Sequence, residues 1–182
     1  MKTFRQKGIN FEIEIAKTLS RWIGDSKRKY CLWRSLGSGS LATRAQNFEF
    51  VEQSGDICAL SEKGREFTSR IYVECKRWKT LDSPFEIIDK NKSLKFIDVI
   101  QGAIENIGDQ RKIPWVIIKR DYSSSTLLFT LCRYINRFYL SASLKIQISQ
   151  YEICVVSLEE LINKITWESY KKFLDEMFQD CM

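Results

Sequence analysis

Asp56, Glu74 and Lys76 are the residues whose types and spacing most clearly suggest chemistry. Residues 55–76 predict two strands with a polar turn around Gly64 between them. Asp56 lies at the start of the first predicted strand, and Glu74 and Lys76 lie near the end of the second. The two carboxylates and the ammonium group can therefore converge at the open end of a hairpin.

The second predicted strand carries its polar residues on one side. Because successive side chains alternate between the faces of a strand, Glu74 and Lys76 share one face, and Val73 and Cys75 share the other. Paired carboxylates favour Mg²⁺, since hard divalent cations take oxygen ligands completed by waters and phosphate oxygens. A lysine beside the metal can orient or deprotonate a bound water. Taken alone, these residues are equally compatible with a solvated hairpin that carries a surface ion pair.

The spacing of these residues resembles the PD-(D/E)xK nuclease superfamily, because Glu74-Cys75-Lys76 begins 18 residues after Asp56. The resemblance implies a DNA endonuclease in which Asp56 and Glu74 hold Mg²⁺ together with the backbone carbonyl of Cys75. It also implies that Lys76 positions the attacking water and that Mn²⁺ can substitute for Mg²⁺. Asp56, Glu74 and Lys76 are thus the first three predicted catalytic residues.

The first helix adds a fourth candidate, Glu12. Residues 9–23 place apolar side chains at helical spacing, with Asn10 as the N-cap and Glu12 in the first turn. The Lys-Gly pair at 7–8, followed by Glu12, resembles the first helix of archaeal-type Holliday-junction resolvases, in which an early helical glutamate completes the metal site. The match favours Glu12 over Glu14. The alternative is that Glu12 only interacts with the positive end of the helix dipole.

A loop rich in small residues follows Arg34. A basic residue followed by Ser-Gly ahead of the metal aspartate again resembles the resolvase branch, and the match favours Ser38 as the phosphate-contacting serine, with Ser40 next. Arg34, Arg77 and Lys79 are the basic residues predicted to contact the DNA. The alternative for the loop is a plain linker. It lacks the terminal Gly-Lys-Ser/Thr of a phosphate-binding loop, so we expect no nucleotide cofactor.

The composition is typical of a soluble globular protein. The 182 residues suffice for one well-buried domain, with 44% hydrophobic and 29% charged residues. The net charge of +6 suits a polyanionic partner such as DNA. Histidine is absent, which excludes His-metal nucleases, Ser-His-Asp hydrolases and His-ligated zinc sites.

Six cysteines occur without a C-x-x-C pair. Cys58, Cys75 and Cys154 lie in apolar strand-like runs, so we expect buried free thiols and a reducing, cytoplasmic location. We expect no membrane association, because the sequence shows neither a signal-peptide core nor a run near the ~20 apolar residues of a bilayer span. The small size would suit a phage enzyme, which would meet nucleoid DNA in the cytoplasm of its host.

The remaining patterns predict an α/β fold. A helix over 93–108 ends at Gly108 and carries Gln101, which matches a supporting glutamine of several PD-(D/E)xK branches. The other predicted elements are a strand at 30–33, a loop or short helix at 41–54, a buried central strand at 115–119, a turn at 121–125, a strand at 126–131, a short helix at 133–142, a strand at 151–156, and helices from Ser157 to about Met177. This order fits a restriction-endonuclease-like core, in which helices flank a mixed central β-sheet.

The resemblance covers about residues 5–120. We expect one nuclease domain over residues 1–182, with a core of about 5–131 on which the C-terminal strand and helices of about 151–179 pack. Two departures from the resolvase pattern occur, since Glu12 lies 44 residues before Asp56 and a glycine precedes that aspartate where the superfamily has proline.

The branch-specific features favour a Holliday-junction-resolvase-like enzyme of DNA recombination or repair. Such an enzyme cuts branched DNA and is expected to be a homodimer, because a four-way junction needs two symmetric cuts. One alternative is a restriction- or repair-type nuclease that acts on linear or single-stranded DNA. The other is a catalytically inert DNA-binding protein with the same fold.

Overall fold

The structure is a computed structural model, which describes residues 3–24, 30–35, 52–79, 95–108, 110–138, 140, 144–148 and 150–179. The helices of these ranges are α1 (Phe4–Ile23), α2 (Glu62–Thr68), α3 (Lys95–Ile107), α4 (Leu158–Lys164) and α5 (Trp167–Gln179). The strands are β1 (Leu32–Arg34), β2 (Glu52–Ser54), β3 (Ile57–Ala59), β4 (Ile71–Trp78), β5 (Ile113–Arg120), β6 (Thr126–Leu131), β7 (Leu144–Ile148) and β8 (Tyr151–Ser157). The predicted DNA contacts Ser38 and Ser40 lie outside the described residues.

The strands form two sheets. The larger sheet has the order β4-β5-β6-β8-β7 and is mixed, because β4 runs parallel to β5 whereas the other neighbouring strands are antiparallel. The smaller sheet is antiparallel and has the order β1-β3-β2. The expected α/β fold, with a mixed sheet flanked by helices, is confirmed.

Different helices cover the two faces of the larger sheet. On one face, the ring of Trp115 in β5 lies 6.0 Å from that of Trp22 in α1 and 5.7 Å from that of Phe67 in α2. On the other face, Phe129 of β6 packs against Phe96 of α3, with ring centroids 5.7 Å apart. Phe129 is paired with the residue next to Trp115, so the two side chains point to opposite faces. β4, the strand that carries Glu74 and Lys76, also contacts both α1 and α3.

The hairpin predicted around the candidate catalytic residues Asp56, Glu74 and Lys76 is wrong. The chain between β3 and β4 forms α2, whose N-cap Ser61 accepts a hydrogen bond from the amide of Gly64. Gly64 lies within this helix, where a Cβ atom would come 2.1 Å from the carbonyl oxygen of Cys31. β3 and β4 belong to different sheets, and the segment ahead of β3 meets β4 at a parallel bridge between Gly55 and Val73.

α1 begins earlier than the apolar pattern predicts. Thr3 is its N-cap and accepts a hydrogen bond from the amide of Gln6 at 3.2 Å. Asn10, the predicted N-cap, lies inside the helix and accepts a hydrogen bond from the Gln6 side chain. The first turns of α1 are largely solvated, so the buried pattern starts only at Phe11. Glu12 therefore lies in the helix interior, and an interaction with the N-terminal dipole does not explain it.

Most of the later elements are confirmed. The predicted helix at 93–108 is α3, which is followed by Gly108 with a φ of +52°. The three predicted strands after it are β5, β6 and β8, and Ser157 caps α4 by accepting a hydrogen bond from the amide of Glu160. None of the described helices has the length and apolar character that crossing a membrane requires.

Four details of the secondary structure differ from the prediction. The short helix predicted at 133–142 is replaced, within the described residues, by two 3₁₀ helices at Cys132–Tyr134 and Asn136–Phe138. β1 is displaced towards the C-terminus, and β2 was not predicted. β7 was also missed, because it is an edge strand with two polar side chains, Lys145 and Gln147, in the solvent.

Gly55 allows the segment ahead of β3 to lie directly against the edge of β4. Its φ is +72°, and a Cβ atom at this position would lie 2.1 Å from the carbonyl oxygen of Val73. Proline cannot adopt this conformation, since its ring holds φ near about −65°. This backbone geometry explains why glycine, and not proline, precedes Asp56.

The first prediction concerns the substitution Gly55→Ala. The clash and the left-handed backbone should lower the free energy of unfolding by at least about 2 kcal/mol. The matched control is Gly102→Ala in α3, where a Cβ atom meets nothing within 4 Å and should add about 0.5–1 kcal/mol. Urea unfolding of both variants measures the difference. Equal stability of Gly55→Ala and the wild type would contradict the close approach at β4.

Candidate active site

Asp56 is held by three hydrogen bonds, two of them to the edge of β4 and one to the residue that follows β1. Its backbone amide donates to the carbonyl oxygen of Val73 at 2.7 Å, and its carbonyl oxygen accepts from the amide of Ser35 at 2.7 Å. Its carboxylate oxygen Oδ2 accepts from the amide of Cys75 at 2.7 Å. The side chain of Asp56 is thus fixed beside the strand that carries Glu74 and Lys76, although no hairpin joins the two segments.

Glu74 and Lys76 lie on one face of β4, as the alternation of side chains predicts. Val73 and Cys75 point into the core, whereas Glu74 and Lys76 are half-buried. The ammonium Nζ of Lys76 donates to Oε1 of Glu74 at 2.5 Å. Burial lowers the pKa of Lys76, but the hydrogen bond to Glu74 and the negative charges of Glu74 and Asp56 raise it, and the net shift is upward. Lys76 is therefore a cation at neutral pH, which favours orienting a water over deprotonating it.

The ionised carboxylate of Asp56 has too little positive charge around it to offset its burial. Burial is the main cause that raises its pKa from 3.8 to about 6, and the Cys75 amide opposes the rise. The negative charges of Glu74 and Glu12 also raise it, and Lys76 lowers it. The ionised form of Asp56 is consequently unfavourable in the folded protein by itself, and a bound cation would relieve that cost.

Glu12 of α1 faces this site but has a partner of its own. Its carboxylate oxygen Oε2 accepts a hydrogen bond from Nε of Arg34 at 2.8 Å, and both side chains are 19% exposed. Glu12 lies close enough to Asp56 for its charge to raise the pKa of that aspartate. The structure therefore brings a predicted ligand, Glu12, and a predicted DNA contact, Arg34, into one ion pair at the margin of the site.

The carboxylates fit a cation that is bound mainly through water. Within the described residues, no group of three or more His, Cys, Asp or Glu side chains is arranged to hold a metal ion. Asp56 and Glu74 each have one carboxylate oxygen engaged by an N–H donor, which leaves the second oxygen as a further acceptor. Mg²⁺ commonly takes one or two carboxylates and keeps several waters. The donor set of Asp56 and Glu74 matches that preference.

The other predicted contacts have different surroundings. Arg77 donates from Nε to Oδ1 of Asp121 at 2.9 Å, and Lys7 donates to Oδ2 of the same buried carboxylate at 2.6 Å. Lys79 follows β4 and is exposed, whereas Gln101 is half-buried on α3. Arg77 is thus held in a structural ion cluster, while Lys79 is open to a polyanion.

Sequence reasoning missed Tyr72 and Asp121. Tyr72 lies two residues before Glu74 on the same face of β4, and its hydroxyl accepts a hydrogen bond from the side chain of Asn106 in α3 at 3.2 Å. Burial, and then the charges of Glu74 and Asp56, raise the pKa of Tyr72. The alternation that grouped Glu74 with Lys76 would also have identified Tyr72. No local pattern marks Asp121, because its partners come from α1 and β4.

The predicted buried thiols are confirmed. Cys58, Cys75 and Cys154 are free and buried, as are Cys31 and Cys132. Burial raises the pKa of the Cys75 thiol well above its ordinary value. This thiol is therefore neutral, and its contribution at the site comes from the backbone of the residue.

Comparison with protein families identifies the group to which the chain belongs. Residues 3–172 match the family described as "Phage putative PDDEXK endonuclease". The chain belongs to this phage PDDEXK endonuclease family. No curated protein and no solved structure matches the chain.

Family membership agrees with the fold and with the chemistry of the described site. It confirms the resemblance to the PD-(D/E)xK superfamily and implies a hydrolase of the nuclease type. The mixed sheet flanked by helices is consistent with a restriction-endonuclease-like fold. A phage PDDEXK endonuclease acts on nucleic acid, and the chain's net charge of +6 suits that polyanion.

The second prediction concerns the substitution Asp56→Asn. The wild-type carboxyl has a raised pKa of about 6, so its ionised form destabilises the fold above about pH 6 and the penalty disappears towards pH 4. The amide variant should be more stable by about 1–3 kcal/mol near pH 8 without divalent cations, and the gain should shrink as the pH falls towards 4.

Urea unfolding in EDTA at the two pH values measures this effect. Glu168→Gln on the exposed side of α5 is the matched control and should change stability by less than about 0.5 kcal/mol. A loss of stability in Asp56→Asn near pH 8 would contradict the conclusion that ionised Asp56 destabilises the fold.

Proposed function

We propose that this phage PDDEXK endonuclease is a Mg²⁺-dependent DNA endonuclease with Holliday-junction-resolvase-like preference for branched DNA. The observation that carries the proposal is the position of Asp56. Its carboxylate binds the amide of Cys75 in the Glu74-Cys75-Lys76 strand, so three groups with the superfamily's chemistry lie at one edge of the sheet.

The hydrolytic roles follow from the donors and charges at this edge. Asp56 and Glu74 would hold Mg²⁺, assisted by the carbonyl of Cys75. Glu12 would leave its ion pair with Arg34 and add a direct or water-mediated contact to the metal. A bound Mg²⁺ supplies an activated water and offsets charge on the phosphate. Lys76, cationic through its pairing with Glu74, would donate a hydrogen bond that orients the attacking water for in-line displacement.

Basic groups around the site would receive the DNA backbone. Lys79 is exposed at the end of β4, and Arg34 lies at the end of β1 with its guanidinium beside Glu12. Ser38 and Ser40 would extend this surface from the loop that follows Arg34. Arg77 would contact the DNA backbone while it remains paired with Asp121. Substituting Arg77 should therefore lower the stability of the fold as well as the affinity for DNA.

The preference for branched DNA rests on the resemblance of the first helix and of the serine-glycine loop to the resolvase branch. Two symmetric cuts in a four-way junction require two active sites, so the active form would be a homodimer. A restriction- or repair-type enzyme would share the hydrolytic site and differ in substrate. The substrate preference is therefore tested separately from the chemistry.

The third prediction is paired cleavage of a synthetic four-way junction in the presence of Mg²⁺ and none in EDTA. Asp56→Ala should abolish the reaction, because the metal loses a ligand, and Lys76→Ala should lower its rate roughly 10²- to 10⁴-fold. Denaturing gel electrophoresis of junctions labelled on each strand measures the cuts. Lys172→Ala, an exposed change on α5, is the matched control and should cleave normally.

Linear duplex and single-stranded DNA provide the comparison substrates. Equal cleavage of linear DNA would keep the hydrolytic site and replace the resolvase-like preference by that of a general nuclease. Tight binding without cleavage, unchanged in Asp56→Ala and Lys76→Ala, would contradict the enzymatic proposal and favour an inert DNA-binding protein.

The fourth prediction is that Mg²⁺ stabilises the fold through Asp56. At about ten times its Kd, the ion should raise the free energy of unfolding by roughly 1 kcal/mol. Asp56→Asn should show no such gain, although it starts from a more stable fold. Thermal unfolding with increasing MgCl₂, against NaCl of equal ionic strength, measures the effect. An equal shift in both proteins would place the metal elsewhere.

A further inference from the structure

Tyr122 is the most exposed large apolar residue among those that the structure describes. Its exposed fraction is 99%, whereas Tyr30 and Leu144, the next such residues, are 39% and 36% exposed. Tyr30 still packs its ring against Trp33, with centroids 6.0 Å apart. The ring of Tyr122 lies almost entirely in solvent, so the packing of this chain does not account for it.

The backbone of Tyr122 is also unfavourable for its residue type. Its φ is +65°, and it is the only non-glycine residue with positive φ in the described part of the chain. The left-handed region disfavours bulky L-residues, and glycine or asparagine is the usual occupant of such a turn position. A glycine or asparagine at position 122 would therefore make the fold more stable than tyrosine does.

The turn that carries Tyr122 is nevertheless well tied to the sheet. The amide of Asp121 donates to the carbonyl oxygen of Trp78 at 2.7 Å, and the amide of Ser123 donates to that of Arg120 at 3.1 Å. The buried carboxylate of Asp121 accepts from Lys7 and Arg77. Tyr122 thus projects from a fixed support, which limits the entropy lost when its ring binds a partner.

The turn lies at the active-site end of the sheet. Residue 118 of β5 is paired with Lys76, and Tyr122 follows it by four residues. At about 3.3 Å per residue along a strand and about 4.8 Å between strands, the Cα atom of Tyr122 lies within roughly 14 Å of that of Lys76. Arg120 and Lys79 are exposed nearby, and the two cations of Lys7 and Arg77 exceed the single charge of Asp121. The surroundings of the ring are basic.

We propose that Tyr122 is a base-stacking contact for the DNA substrate, placed beside basic residues that approach its phosphates. An exposed aromatic ring next to cations is the arrangement with which proteins bind bases that have left the duplex stack. The ligand class is therefore DNA with unstacked bases, as at a branch point or in a single strand. This inference rests on the proposed nuclease function and specifies how that site distinguishes its substrate.

The test compares Tyr122→Gly with Tyr122→Phe and with Ser124→Gly. Tyr122→Gly removes the ring and the backbone strain, Tyr122→Phe keeps the ring, and Ser124→Gly adds a glycine to the same turn without removing an aromatic group. Binding is measured with Asp56→Ala in each protein, so that the DNA stays intact. The probes are a four-way junction, a single strand and a linear duplex, with 2-aminopurine at the branch point of the junction.

The expected result is selective. Tyr122→Gly should weaken binding of the junction and of the single strand roughly five- to hundredfold, with little change for the duplex. The 2-aminopurine signal should change on binding of the Tyr122→Phe and Ser124→Gly proteins and stay at its free value with Tyr122→Gly. The melting temperature of Tyr122→Gly should equal or exceed that of the parent, because the strained backbone is relieved.

Several results would overturn the inference. Unchanged binding and cleavage by Tyr122→Gly, while Asp56→Ala is inactive, would reject the role of Tyr122 and leave the nuclease proposal intact. An equal defect in Tyr122→Phe would assign the effect to the hydroxyl instead of the ring. If the Tyr122→Gly protein sediments with a different mass and binds DNA with unchanged affinity, Tyr122 belongs to a protein interface instead. If the wild type binds none of the DNA probes, both proposals fail.

Discussion

The hydrogen bond between the Asp56 carboxylate and the Cys75 amide is the contact on which the candidate site depends. Cys75 belongs to β4, an edge strand of the larger sheet, and its amide would otherwise lack a strand partner. Glu74 and Lys76 are positioned by the strand itself, whereas Asp56 lies in the turn between β2 and β3 of the smaller sheet. The same contact therefore joins the two sheets and brings the two parts of the nuclease motif together. Gly55 makes it possible, because any side chain there would meet the carbonyl of Val73.

Helix α1 supports this edge through charge as well as packing. Its apolar face covers the sheet, and its polar side pairs with the ends of β1 and β5 and with the turn after β5. Glu12 pairs with Arg34, Glu14 with Lys119, and Lys7 with the Asp121 that also binds Arg77. Exposed ion pairs of this kind contribute little to stability individually, but Asp121 is buried and joins two cations. Those hydrogen bonds from Lys7 and Arg77 lower the pKa of Asp121. α1 therefore both orients a candidate ligand and anchors the turn beyond β5.

The sequence alone predicted the structure wherever the local spacing of apolar and polar residues determined it. The alternation along β4 correctly grouped Glu74 with Lys76, and the apolar run of β5 and the spacing of α3 identified both elements. It was insufficient where distant groups decide. α2 was mistaken for a turn because Gly64 is needed for contact with Cys31, which lies far away in the sequence. The pairing of Glu12 with Arg34, and of Arg77 with Asp121, likewise depends on tertiary contacts that no local pattern encodes.

The segment at 54–56 has a second consequence beyond the placement of Asp56. Ser54, through its hydroxyl, and Asp56, through its amide and carboxylate, occupy the carbonyl oxygens of Ile71 and Val73 and the amide of Cys75. These groups form the outer edge of β4, and such an edge, when it is unpaired, is a template for aggregation with other chains. We therefore expect the solubility of this protein and its proposed catalysis to depend on the same few hydrogen bonds. A chain that loses the docking of this segment would tend to associate through β4 as well as become inactive.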